Sequence, residues 1–183
     1  MSVTATEAWQ VYQEADCLHD QSAVEQALDA MAVAIGERLA DRDPLLLCVM
    51  SGAVVVMGQL LPRLHFPLQL DYVHATRYGS ATVGGELDWI ARPRLSVADR
   101  SVLVVDDILD EGVTLKAIVE ALQQQGCREV FSAVLVEKLH QRKSGIVADF
   151  VGVQVPDRYV FGYGMDYKGF LRNVPGIFAV RGG

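Results

Sequence analysis

Apolar residues recur along this chain in two rhythms, and each change of rhythm marks an element. Thr6 to Ala15 is a short helical stretch with no chemistry attached. Ser22-Ala23-Val24-Glu25 has the form of a capping box. Behind it Val24, Leu28, Met31, Ile35 and Leu39 make one stripe at helical spacing, with Glu25, Asp29, Glu37 and Arg38 off it. Leu45 to Met50 is a continuous apolar run, suited to a strand buried on both faces. Ser51-Gly52-Ala53 then turns, and Met57, Leu60, Leu61 and Leu64 face inward from a helix that Pro62 and Pro67 close.

Leu68 to Thr76 predicts a further strand, followed by a polar, glycine-bearing loop from Arg77 to Gly85. Leu87 to Ile90 reads as a returning strand, so residues 76–91 predict a two-stranded flap. Val102-Leu103-Val104-Val105 is a buried strand that ends in Asp106-Asp107, and Gly112 leads into a helix carrying Leu115, Ile118, Val119 and Leu122, with Gly126 as its stop. Glu129 to Val136 is the next buried strand and ends in Glu137-Lys138; Asp149 to Val155 alternates as another. Strands and helices in alternation predict an α/β fold, a mainly parallel twisted sheet flanked by helices.

Composition narrows the function. At 183 residues, half of them hydrophobic, the chain predicts one domain (1–183) with a full core. A net charge of −7 argues against nucleic acid or an anionic membrane as the main partner, while leaving room for a local basic pocket. Cys17, Cys48 and Cys127 are odd in number and lack Cys-x-x-Cys spacing, which predicts buried, reduced thiols in a cytoplasmic protein. The four histidines show no zinc-ligand spacing, and no signal peptide is visible. Pro44 to Pro62 is uncharged and about as long as a membrane span, but Ser51-Gly52 and Gly58-Gln59 interrupt it, so a strand and helix explain it better. There is no repeat and no Walker A sequence.

The chemistry centres on Asp106 to Thr114. Acids at the carboxyl end of a strand, then a glycine and a helix N-terminus, make a place for phosphate at one end and hydroxyls or Mg²⁺ at the other. Acids at helix starts are routine, and an Asp-Asp pair alone is ordinary. The full run is specific: an apolar strand, two acids, two apolar residues, Asp110, Glu111, Gly112, Val113 and Thr114. It resembles the 5-phosphoribosyl-1-pyrophosphate (PRPP) signature of the type I phosphoribosyltransferases, with Glu111 in place of the usual Thr.

That resemblance implies a set of roles. Asp106 and Asp107 would meet ribose hydroxyls and Mg²⁺, and Glu111, Gly112, Val113 and Thr114 would cradle the 5′-phosphate. Asp110 would be the general base at purine N7. Met50-Ser51-Gly52-Ala53 stands at the pyrophosphate loop, where Ser51 departs from the lysine of the mammalian type and Gly52 matches. Arg77-Tyr78 would open the flap, retaining only the family's tyrosine. Pro156 to Arg172 resembles the C-terminal segment of the hypoxanthine-guanine branch. On that mapping Tyr159 stacks on the purine, Val160 meets its edge, Asp166 binds Mg²⁺ near the base, Arg172 meets pyrophosphate and Lys138 meets the 6-oxo group.

The implied protein is a purine salvage enzyme with a small hood built by the terminal segments, taking PRPP and hypoxanthine or guanine and working as a homodimer or homotetramer. The alternatives are transfer to xanthine or another base, and a regulatory RNA-binding member of the same fold.

Overall fold

The computed structural model describes residues 3–77 and 87–182. Its larger sheet has six strands in the order β4-β3-β2-β5-β6-β7: β2 (Leu45–Val49), β3 (Gln69–Arg77), β4 (Leu87–Ala91), β5 (Ser101–Leu109), β6 (Glu129–Leu139) and β7 (Phe150–Pro156). All neighbours are parallel except β3 and β4. The apolar runs form the middle of it, for every residue of β2 is buried and Val102 to Val105 are wholly so. α2 (Gln21–Leu39) and α3 (Val54–Leu60) pack together against the sheet, and α4 (Val113–Gln124) lies across β3 to β6. The α2 stripe expected from spacing is buried at all five positions.

A second, three-stranded antiparallel sheet joins the two ends of the chain in the order β1 (Asp16–Asp20), β9 (Gly176–Ala179), β8 (Val160–Phe161). α1 (Ala5–Glu14) covers it, with Ala8, Phe161, Leu171 and Val174 as a separate small core.

Four expectations need correction. β5 does not stop at the acids but runs on through Ile108 and Leu109, because β6 continues to pair with it as far as Leu109–Glu137. β6 likewise runs past Val136, and Lys138 lies within it, paired in register with Val155. The cap of α2 is Asp20, not Ser22: Asp20 ends β1 in extended backbone and its carboxylate accepts the Ala23 N–H at 2.8 Å. The thiols are all free, but only Cys48 is buried; Cys17 is exposed on the short β1. Among the described residues, no helix is long and apolar enough to cross a membrane.

The strand order reverses between β2 and β5: β2 leads to β3 on one side and β5 to β6 on the other. A crevice opens outside the carboxyl ends of strands at such a point. β2 stops first, with Cys48 beside Val105, so β5 projects beyond it as a ledge.

Candidate active site

The ledge carries the carboxylates. Asp106 and Asp107 are 9% exposed, and each turns one oxygen back to the chain: Asp106 Oδ1 accepts the Asp107 N–H and Asp107 Oδ1 accepts the Ile108 N–H, both at 2.9 Å. Burial, compounded by the neighbouring charge of Asp107, pushes Asp106 well above the ordinary carboxylate range. Burial pushes Asp107 up as well, against the pull of the Asp106 hydrogen bond and the Arg172 charge. Two buried acids with all-oxygen donors are costly alone and suit a hard divalent cation such as Mg²⁺.

The turn after β2 lies against this pair. Gly52 packs on the Asp107 carboxylate, and Gly164, with φ 107°, packs on the Gly52 carbonyl. A side chain fits at neither place: a Cβ on Gly164 would stand 2.1 Å from Gly52 O. Arg172 closes this side, with Nη2 2.7 Å from Asp166 Oδ1 and Nη1 3.9 Å from Asp107 Oδ2. The other Asp166 oxygen accepts the Gly169 N–H at 2.7 Å, so each oxygen of Asp166 already has one partner that a metal would have to share.

After Leu109 the chain turns through Asp110, Glu111 and Gly112 into α4. Gly112 is the N-cap, left-handed at φ 80° and without a side-chain cap, so the first amides of α4 keep their donors for a ligand. A Cβ there would strike Ile146 Cγ2 at 2.6 Å and Leu109 Cδ1 at 2.7 Å. The turn is braced from behind, where the Ser144 N–H donates to Glu111 O at 2.8 Å and Lys143 Nζ to Leu109 O at 3.1 Å. The Glu111 side chain is exposed, 3.7 Å from Arg142 Nε. Ser51, Gly52, Asp106, Asp107, Gly112, Val113, Thr114, Asp166 and Arg172 all border one cleft of about 580 Å³.

A smaller hollow of about 200 Å³ adjoins it, walled by Lys138, Tyr159, Val160 and Met165, and shares Asp107, Ile108, Asp110 and Asp166 with the cleft. Both oxygens of Asp110 are engaged: Lys138 Nζ donates to Oδ2 and His140 Nε2 lies beside Oδ1, each at 2.7 Å. Burial raises Asp110, but the hydrogen bonds from Lys138 and His140 and the charge of Lys138 outweigh it and hold the carboxyl below the usual range. Tyr159 stands half-exposed at the rim, edge-on to Tyr167 at 5.5 Å.

The structure therefore gathers the residues singled out from both motifs at one sheet edge. Arg77 closes β3, and Tyr78 lies outside the described residues. His140 was missed because it matched no ligand spacing. Its signal was its place two residues after Lys138, which puts it on the same side of an extended chain.

The phosphoribosyl transferase domain family matches residues 14–168, and the chain belongs to that family. Within it, the hypoxanthine-guanine phosphoribosyltransferase of Bacillus subtilis is 33% identical over 165 residues, covering 90% of this chain and 92% of that protein. The protein of the same name from Staphylococcus epidermidis is 34% identical over 152 residues, 82% of this chain and 85% of its own. A crystal structure of a hypoxanthine phosphoribosyltransferase from Staphylococcus aureus matches with a TM-score of 0.86 at 28% identity, covering 91% of each chain. The resemblance seen in the motif, the fold it implied and the enzyme class are borne out.

Proposed function

We propose that the protein transfers the phosphoribosyl group of PRPP to hypoxanthine or guanine, giving IMP or GMP and pyrophosphate, in purine salvage. One observation carries this reading: the phosphate-ready turn and the hollow walled by Lys138 and Tyr159 meet at Asp110, the residue of that turn that also walls the hollow. A sugar phosphate seated on the amides from Glu111 to Thr114 would present its C1 toward a flat base in that hollow.

The assignments follow from what each group can do. Tyr159 offers a ring face for stacking, and Val160 offers its backbone to the purine edge. Lys138 is a pure donor and suits a 6-oxo oxygen rather than an amino group; as the purine enters, it exchanges Asp110 for that oxygen. Asp110, a carboxylate at neutral pH, takes or holds the proton at N7. Arg172 and the Ser51-Gly52 turn face the pyrophosphate. Mg²⁺, held by Asp106 and Asp107 with Asp166 beside them, would neutralise charge on the pyrophosphate and the ribose hydroxyls. As C1 gains positive character, the buried acids stabilise it; most of the flap expected at residues 76–91 lies outside the described residues.

In this reading residues 1–183 work as one unit, with the β1-β9-β8 sheet as the hood. The protein acts in the cytoplasm as a homodimer or homotetramer. Leu70 and Tyr72 stand half-exposed on β3, an apolar surface of the kind that such an assembly covers.

The test is PRPP- and Mg²⁺-dependent nucleotide formation with hypoxanthine, guanine, xanthine, adenine and uracil side by side. Product from hypoxanthine or guanine alone is expected. Product only from another base would keep the PRPP site and overturn the base assignment. PRPP binding with no product from any base would favour the regulatory, RNA-binding alternative.

A further inference from the structure

The turn that follows β6 places a histidine against the carboxylate assigned as the base. His140 has only 4% of its side chain exposed, and its Nε2 lies 2.7 Å from Asp110 Oδ1. Its other nitrogen is also taken, for the Arg142 backbone N–H donates to Nδ1 at 3.0 Å. A backbone amide can only donate, so Nδ1 must carry the lone pair and the ring proton must sit on Nε2, aimed at Asp110. The turn is pinned from outside, where the Arg142 guanidinium forks onto Asp157 at 2.8 and 3.0 Å.

The two partners of Asp110 differ in freedom. Lys138 is a point charge on a flexible stem and can swing to an incoming 6-oxo oxygen. His140 cannot follow, because burial and the Arg142 amide fix its ring, and it borders neither the cleft nor the smaller hollow. With Lys138 gone, a carboxylate just past a strand end would be free to rotate.

We infer that His140 is a positioning residue for the transfer: its Nε2–H holds Oδ1 of Asp110, so that Oδ2 stays directed at the purine after Lys138 has left it. The imidazole keeps its proton throughout and exchanges nothing with the substrate. The inference rests on the reading of Asp110 as the base.

The experiment compares His140→Leu with His140→Gln, whose amide nitrogen can donate from near the place of Nε2. The leucine variant is expected to lower kcat about tenfold, the size of one hydrogen bond to a charged group, with KM for PRPP unchanged. The glutamine variant is expected to recover most of that loss. A glutamine variant as slow as the leucine variant, or wild-type kcat in both, would overturn the inference. Should the leucine variant fail to fold, ¹⁵N NMR of the wild-type ring at neutral pH decides. A proton on Nε2 supports the inference; a proton on Nδ1 alone, which leaves Nε2 with no hydrogen to donate to Asp110, refutes it. If Asp110→Asn keeps full turnover, it is the base assignment that has failed, and the ring-proton result stands apart from it.

Discussion

The Asp107 carboxylate rests directly on the α-carbon of Gly52. A Cβ built on that glycine would lie 2.1 Å from Asp107 Oδ2 and 2.5 Å from its Cγ. One missing side chain thus lets the loop after β2 and the ledge of β5 share a wall of the cleft.

Gly52→Ala must therefore displace a buried carboxylate. Overpacking of this kind costs about 1–3 kcal/mol, and the displaced acid no longer meets PRPP. Gly58 is the control, an exposed glycine inside α3 with nothing within 4 Å of a built Cβ. Gly58→Ala should stabilise by about 0.5–1 kcal/mol. Calorimetric titration with PRPP and Mg²⁺, alongside Tm, separates the two; unaltered PRPP binding by Gly52→Ala would contradict the packing described.

Asp106 links stability to pH. Its folded pKa is raised above the unfolded value of about 3.9. Such a group stabilises fully below the unfolded value, and that contribution is lost as pH rises through the folded one. At neutral pH the metal-free protein must either bury that charge or take up a proton that the unfolded chain has already lost, so Asp106→Asn should raise its Tm in EDTA while abolishing turnover. The gap between variant and wild type should shrink toward acid. A variant no more stable than wild type near neutral pH refutes this.

Asp110 has the opposite sign. Lys138 and His140 depress its pKa, so their stabilisation is present above the unfolded carboxylate value and disappears as pH falls through the folded one. Asp110→Asn should cut turnover by about a hundredfold to ten-thousandfold, the usual weight of acid–base help, and leave PRPP binding largely intact. Lys138→Ala should weaken the use of 6-oxopurines specifically; an equal loss with adenine would remove its assignment.

Glu111 puts a negative side chain beside the phosphate turn, partly screened by Arg142 at 3.7 Å. Both are exposed, so the penalty is small. Glu111→Thr should lower KM for PRPP by up to about fivefold, more at low salt than at high, in line with about 1 kcal/mol for exposed charges. Identical KM at every ionic strength would show that the side chain plays no part.

The sequence made the large sheet plain because its information is local. Val102 to Val105 reads as a buried strand without knowledge of its neighbours, and Val24 to Leu39 as a helix face. The ends of β5 and β6 were misread because charged residues look like strand stops, whereas Asp106, Asp107 and Lys138 remain in extended chain as long as a partner strand continues beside them. Ser22 looked like a cap for similar reasons; Asp20 took that role from the end of a strand too short to notice. The pairing of Asp16 with Ala179 has no local trace at all. In the site, the PRPP-like motif exposed one wall and the C-terminal motif the other. The partners that fix Asp110 appear only once β5 and β6 lie side by side.

The small sheet sews together the two ends of the chain. β9 lies between β1 and β8, the Val180 N–H donates to Tyr159 O at 2.9 Å, and Arg158 reaches Asp16 at 2.6 Å. The ring expected to hold the purine thus hangs from a seam whose threads are the first and last strands, while the phosphate turn hangs from the middle of the main sheet. Fraying of either end travels to Tyr159 long before it reaches Gly112, so a gently heated molecule should let go of its base while still gripping its sugar phosphate.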